Sequence, residues 1–259
     1  KKFIVNMNEE ETVKQTFDKV WKTVIERTKK KVSPVILTPK GYVLGGQPGD
    51  GKSGLIEKAK DLCFDNIIII SGDDFRKFHP DYKSFQEKYG KYSPKYTVAF
   101  AGKMTEAILN KAVSEHYNVV IEGTFRNPAT PIKTLSLMKE NGYKTQVMIQ
   151  TCTKELSWKS CQERYEKMKE VMPNEARWTD KEHHDLVCEN LAKNIKTVCE
   201  SGKADKTEIF FRDENGKNEL IYSTDKGKPL NVKALNNKIG ISFPEKSISK
   251  NANGYEIER

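Results

Sequence analysis

Gly46-Gln47-Pro48-Gly49-Asp50-Gly51-Lys52-Ser53 fits the pattern G-x-x-x-x-G-K-[ST] and constrains this chain more than any other stretch. Tyr42-Val43-Leu44 before it reads as a short buried strand. Leu55 to Leu62 after it reads as a helix with Leu55, Ile56, Ala59 and Leu62 on one side. Strand, glycine loop and helix in that order are the context the pattern requires. Glycines let successive backbone N–H groups turn inward onto phosphate oxygens, and the helix N-terminus adds partial positive charge. Residues 46–53 are therefore expected to cradle a nucleotide's phosphates. Lys52 would reach the β- and γ-phosphates, and the Ser53 hydroxyl would bind Mg²⁺. Asp50 does not suit this role, because a carboxylate inside the cradle repels phosphate. It is expected to face solvent.

The 259 residues suffice for one large α/β domain with appendages. The net charge of +9 suits polyanionic ligands, whether nucleotide, nucleic acid or an acidic partner. No basic run is interleaved with aromatics, so nucleic acid is not expected as a partner. Five scattered cysteines without a C-x-x-C pair fit a reducing, cytoplasmic setting with neither a disulfide framework nor a zinc site. No apolar stretch approaches the ~18 residues of a membrane span, and no signal peptide is recognised at the start shown.

Residues 9–30 read as a helix with Val13, Phe17, Val20 and Val24 on one face and Asn8 as its cap, either packed on the core or offered to a partner. Four consecutive isoleucines, Ile67 to Ile70, suit a strand buried on both faces of a parallel sheet. The strand runs into Gly72-Asp73-Asp74-Phe75-Arg76. Ligands of open α/β sheets bind beyond the carboxyl ends of strands, so Asp73 and Asp74 stand where chemistry is expected, although either could be a helix cap. His79, before proline, reads as structural. Residues 83–95, with Tyr89, Tyr92 and the nearby Tyr96, read as an insertion or short helix covering the site. A helix over 97–115 carries Met104, Ile108 and Ala112 on its stripe. Glu106 lies off it and could be simply solvated.

Val119 to Thr124 is a third buried strand, ending in Glu122, Gly123 and Thr124, with Arg126 following in the same loop. Glu122 stands where an acid beside a phosphate loop binds metal-bound water or a substrate hydroxyl. A helix over Pro131–Asn141, a strand over Thr145–Thr151 and a charged helix over 154–171 carrying Arg164 follow. The loop beyond them holds Arg177. Arginines so placed can hold a moving phosphoryl group or be solvated surface charges. Asp180–Ser201 reads as a helix. Glu208–Phe211 and Leu220–Tyr222 read as a last strand and hairpin return. The predicted architecture is α/β, a mostly parallel sheet flanked by helices. Residues 1–225 form the main domain, and 226–259 form a small basic C-terminal extension.

Several segments together resemble the zeta toxin family. They are Leu44 to Ser53; Gly72-Asp73-Asp74-Phe75-Arg76 with His79-Pro80; Lys103-Met104-Thr105-Glu106-Ala107-Ile108; Val120-Ile121-Glu122-Gly123-Thr124; Glu163-Arg164-Tyr165-Glu166; and Ala176-Arg177. The resemblance spans about 40 to 215 and implies a P-loop kinase fold. It implies a toxin kinase of a toxin–antitoxin system that moves the γ-phosphoryl of ATP or GTP to a sugar hydroxyl of UDP-N-acetylglucosamine and so blocks peptidoglycan synthesis. A small helical antitoxin would oppose it. Asp73 then corresponds to the catalytic base, Lys52 to the phosphate-loop lysine, and Arg164 and Arg177 to the pair stabilising the phosphoryl group. Glu106, Glu122 and Thr124 correspond to acceptor-binding residues. Asp50 departs from the small residue usual in the loop. Rival readings are a kinase for another acceptor, such as a different UDP-sugar, a dinucleotide or an antibiotic, and a non-kinase nucleotide-dependent switch.

Overall fold

The computed structural model describes residues 8–27, 31–173 and 175–242, together with the backbone of 249–250 and 256–257. Among these residues a six-stranded sheet runs in the order β2 (Ile68–Ile70), β3 (Val119–Glu122), β1 (Lys40–Gly45), β4 (Lys144–Thr151), β5 (Lys206–Arg212), β6 (Asn218–Ser223). Every pairing is parallel except β5 with β6, which form the expected hairpin. Alternation along β1 explains the layering. Val43 faces one side and packs with Ile68, Ile121 and Val147. Tyr42 and Leu44 face the other and meet Leu55 and Ala59 of α2 (Ser53–Leu62).

The first face is the more heavily covered. Onto it pack α1 (Glu9–Ile25), α5 (Val98–Ser114), α6 (Ala129–Glu140), α8 (Lys181–Glu200) and α9 (Val232–Ile239). α1 buries Val13, Val20 and Val24, and Trp21 meets Tyr117 edge-on at 5.6 Å, so this helix belongs to the core. It stops at Ile25, short of the expected 30; residues 28–30 lie outside the described ones. Of the expected C-terminal extension, Leu230, Leu235, Ile239 and Ile241 join the same core. Residues 243–248, 251–255, 258 and 259 lie outside the described residues. Two short strands, Ser249–Lys250 and Glu256–Ile257, pair antiparallel.

Connections after β1, β2 and β3 open at one edge of the sheet. The loop after β1 leads into α2. β2 leads into α3 (Gly72–Phe75), and β3 into the segment before α6. Beyond α3 come α4 (Tyr82–Tyr89) and a 3₁₀ run over Gly90–Tyr96. α7 (Lys154–Val171) follows β4 and packs behind the phosphate loop. Among the described residues no helix is long and apolar enough to cross a membrane.

Candidate active site

The phosphate loop is anchored from behind by its own side chains. Gln47 is fully buried. Its Nε2 donates to the Cys152 carbonyl at 2.8 Å, and its Oε1 accepts from Thr151 Oγ1 at 2.8 Å, fastening the loop to the end of β4. Gly46, Gly49 and Gly51 have φ of 143°, 81° and 89°, a region other residues enter only with strain. Gly49 is doubly constrained, because a Cβ there would lie 2.1 Å from the Ser157 carbonyl of α7. Arg212, from the end of β5, donates to the carbonyls of Asp50 and Gly49 at 3.1 Å each. Nothing in the local sequence announces Arg212, since it reaches the loop from a distant strand.

Asp50 corrects the expectation that it faces solvent. It is 1% exposed, and Oδ1 accepts from the Lys52 backbone N–H at 2.9 Å and from Lys52 Nζ at 3.1 Å. The ammonium two residues on compensates the carboxylate that the loop's phosphate chemistry alone would expel. Burial nevertheless pushes this acid up to about 6, against the pull of Lys52. Ser53 is exposed as the first residue of α2.

Beside the loop lies a cavity of about 530 Å³. It brings together Lys52, Asp73, Arg76, Glu122, Thr124 and Arg126, closed on its far sides by Thr105 of α5 and Thr130 and Thr134 of α6. Four site residues expected from three separate motifs, Lys52, Asp73, Glu122 and Thr124, therefore share one chamber with Arg126. Asp73 Oδ1 accepts from Arg76 Nε at 2.8 Å, and Oδ2 lies 2.7 Å from Arg177 Nη1. Burial alone would raise Asp73, but Arg177 and Arg76 outweigh it and hold the carboxyl below the usual range. Asp74 instead pairs with Arg27 at 2.8 Å, tying α3 to the end of α1.

Several side chains work by positioning others. Arg76 also donates to the Pro94 carbonyl at 2.7 Å and to Thr97 Oγ1 at 2.9 Å. Its place three residues after Asp73, one helical turn on, is the signal that could have found it. The tyrosine-rich segment contributes no lining residue to the cavity, and its Lys91 Nζ lies over the ring of Trp178, beside Arg177. Its Tyr89 and Tyr96 rings stack on each other at 3.8 Å, and its backbone props Arg76. Phe125 carries φ of 56° in the loop between Thr124 and Arg126. Asn194 of α8 holds that turn by donating to the carbonyls of Phe125 and Arg126 at 2.8 and 2.9 Å. His79 is buried, with Nδ1 accepting from the Asp81 N–H and the ring edge-on to Phe100, a structural role as expected.

Beyond the phosphate loop, three other expected residues do not line the chamber: Arg177, which meets it only through Asp73, Glu106 and Arg164. Glu106 is exposed and pairs with Lys133 Nζ at 2.8 Å, next to Thr105 on the rim. Arg164 lies on the exposed side of α7 and donates to Thr179 Oγ1 at 3.3 Å, two residues past Arg177. Trp178 between them packs edge-on against Tyr165 and Trp158 and lies under Lys91 Nζ.

Parallel strands, a glycine loop at the end of the central strand and a carboxylate chamber beside it define a P-loop kinase fold with a nucleotide-binding loop. The Zeta toxin family model matches residues 22–226, and the chain belongs to the zeta toxin family of toxin–antitoxin kinases. Toxin PezT of Streptococcus pneumoniae serotype 4 (strain ATCC BAA-334 / TIGR4) is 42% identical over 178 residues, covering 68% of this chain and 70% of that protein. Toxin zeta of Streptococcus pyogenes is 31% identical over 221 residues, 85% of this chain and 73% of that one. A solved structure from the PezAT chromosomal toxin–antitoxin system of S. pneumoniae superposes with a TM-score of 0.74 at 29% identity, over 89% of this chain and 90% of that one. The AvrRxo1-ORF1:-ORF2 complex with ATP shares the fold, with a TM-score of 0.58 at 15% identity over 94% and 74% of the two chains.

Proposed function

We propose that this chain transfers the γ-phosphoryl group of ATP or GTP to a sugar hydroxyl of UDP-N-acetylglucosamine in the cytoplasm, and so starves peptidoglycan synthesis. The observation that carries the reading is the shared chamber. Lys52, which serves phosphate, and Asp73, which serves a hydroxyl, line one 530 Å³ cavity. A chamber of that size suits a sugar-sized acceptor.

The loop suits a triphosphate. Its three glycines of positive φ allow the backbone turn that points N–H groups at phosphate oxygens, with Lys52 and the α2 N-terminus adjoining them. Ser53, exposed at that helix start, has the hard oxygen donor that Mg²⁺ takes. Mg²⁺ so held would neutralise charge on the phosphates. The AvrRxo1-ORF1:-ORF2 neighbour, solved with ATP, supports nucleotide binding in this fold.

Asp73 accepts the proton of the attacking hydroxyl. In its resting pairing it is a weak base, since Arg76 and Arg177 both hold it. Arg177 exchanges Asp73 for the transferring phosphoryl group, assisted by Arg164 across Thr179. That exchange frees Asp73 as the reaction becomes possible. Glu122, Thr124 and Arg126 hold the acceptor, and Glu106 joins them by leaving Lys133. A small helical antitoxin is the proposed protein partner. The toxin–antitoxin system of the PezAT relative supports it.

Mass spectrometry of the purified protein with Mg²⁺-ATP and UDP-N-acetylglucosamine tests the reading. The expected product is the UDP-sugar carrying one more phosphoryl group, absent with Asp73→Asn. Consumed ATP beside intact UDP-sugar would reject this acceptor, and a thermal-shift screen of other acceptors would then separate another kinase from a plain nucleotide switch.

A further inference from the structure

Asp50 is the one residue of the phosphate loop that phosphate chemistry does not call for. Its carboxylate points into the loop. A Cβ on Gly46 would lie 1.9 Å from Oδ2, so the acid spans the loop toward its first glycine. Oδ1 takes both the backbone N–H and the ammonium of Lys52. Oδ2 sits 3.0 Å from the same Nζ but, although buried, accepts no hydrogen bond. The lysine N–H and ammonium are the donors a phosphate loop offers to the β- and γ-phosphates. A two-oxygen anion already holds them.

We propose that Asp50 is a resident anion of the phosphate loop, which a nucleotide must displace from Lys52 in order to bind, so that Asp50 sets the loop's affinity for nucleoside triphosphate. The proposal rests on the loop's being the nucleotide site. Displacement is feasible because the main chain at 50 is held independently of the carboxylate. Arg212 grips the Asp50 and Gly49 carbonyls, and Gln47 pins the loop to β4. The acid can swing while the cradle keeps its shape.

The surroundings fix the pH sign. Lys52 from the loop favours the charged acid and Glu122 from β3 opposes it. Arg212 from β5 spends its donors on main-chain oxygens, on Ser160 Oγ and on a weak contact with Cys152 Sγ. The thiols of Cys152, after β4, and Cys161, on α7, are raised by burial and stay neutral. Protonation of Asp50 at low pH releases Lys52 for phosphate. Ionisation as pH rises through about 6 restores the competition.

The test is calorimetric titration of the full chain with the non-hydrolysable analogue AMP-PNP and Mg²⁺. Wild type, Asp50→Asn and Asp50→Ser are compared at pH 5.5 and 8. Both variants are expected to bind roughly tenfold tighter at pH 8, as charge-assisted contacts are freed. The gap should narrow at pH 5.5; taking the ratio to Asp50→Asn cancels the titration of the nucleotide itself. Equal or weaker binding by the folded variants, with wild type binding measurably, overturns the proposal and makes Asp50 a positioning residue for Lys52. Failure of wild type and variants alike to bind overturns the nucleotide reading, and the proposal with it.

Discussion

The phosphate loop and the proposed base are each a carboxylate held by a cation, yet they differ in reach and in exposure to water. Asp50 and Lys52 sit two residues apart, with side chains 1% and 14% exposed. Asp73 and Arg177 join α3 to the segment after α7, with side chains 55% and 35% exposed. Removing one partner of a buried pair strands a desolvated charge and costs about 3–5 kcal/mol, whereas an exposed pair contributes about 0–1 kcal/mol. The loop pair is therefore a fixture that only another anion can rearrange. The base pair is more open to water, and a substrate phosphoryl group that takes the place of Asp73 on Arg177 can open it as an exchangeable latch.

Lys52→Ala breaks the comparison most sharply. It removes the cation for phosphate and leaves Asp50 unpaired. Phosphoryl transfer is expected to fall by more than about 10³-fold, with calorimetric nucleotide binding lost. Adding Asp50→Ala to Lys52→Ala should recover part of the lost thermal stability, because the stranded charge is gone. A double variant no more stable than the single one would show that the pair is not desolvated as described. Asp73→Asn acts on the other pair. It should lower kcat about 10²–10⁴-fold, as expected for loss of a general base, and leave AMP-PNP affinity within about twofold. Full growth inhibition by a folded Asp73→Asn protein would remove Asp73 from the mechanism.

Arg177→Ala sharpens the latch reading, because it should do two things at once. Loss of a cation from the transferring group lowers kcat about 10²–10³-fold. Loss of its pairing also lets the Asp73 carboxyl rise toward its ordinary range, since burial raises this acid and the Arg177 charge is one of the two cations that hold it down. Activity needs the ionised base. The acidic limb of the pH–rate profile should therefore move to higher pH than in wild type. A kcat loss with an unmoved acidic limb would confine Arg177 to the phosphoryl group.

What the sequence makes legible follows the same divide. Residues 46–53 are readable because a glycine loop's geometry is set within eight residues. Asp73, Glu122 and Thr124 are readable because strand ends of a parallel sheet converge. Asp50 points inward, against expectation, because the Lys52 ammonium beside it compensates a charge that phosphate alone would expel. Arg212 and Asn194 leave no local signal. Each is one polar residue on a distant element, and only the closed fold brings it to a loop carbonyl. Only the family resemblance singles out Glu106, and its salt bridge to Lys133 depends on how α5 and α6 face each other, which no spacing encodes.

The smallest effect on activity should come from the support behind the loop. Ser157 Oγ on α7 lies 2.8 Å from His184 Nε2, and His184 Nδ1 lies 3.0 Å from Asp185 Oδ1. Ser157 carries the carbonyl against which Gly49 packs. Burial lowers the His184 pKa, with Asp185 opposing, so the ring is neutral at pH 7. Burial would raise Asp185, but Lys181, His184 and Lys154 bring it down to about 2. A depressed carboxyl stabilises the fold above its unfolded value near 4, and the gain is lost as pH falls through about 2. The buried neutral histidine adds a loss that begins at higher pH, as pH falls through about 6.5, because the unfolded chain takes up the proton first. Asp185→Asn should thus lower Tm by a few degrees at pH 7, corresponding to about 2 kcal/mol at most, and the difference should close near pH 2. Phosphoryl transfer should change less than about twofold, because the loop keeps Gln47 and Arg212 as independent anchors. A large fall in kcat at unchanged Tm would mean that the loop is not the self-supporting fixture that its buried pair makes it.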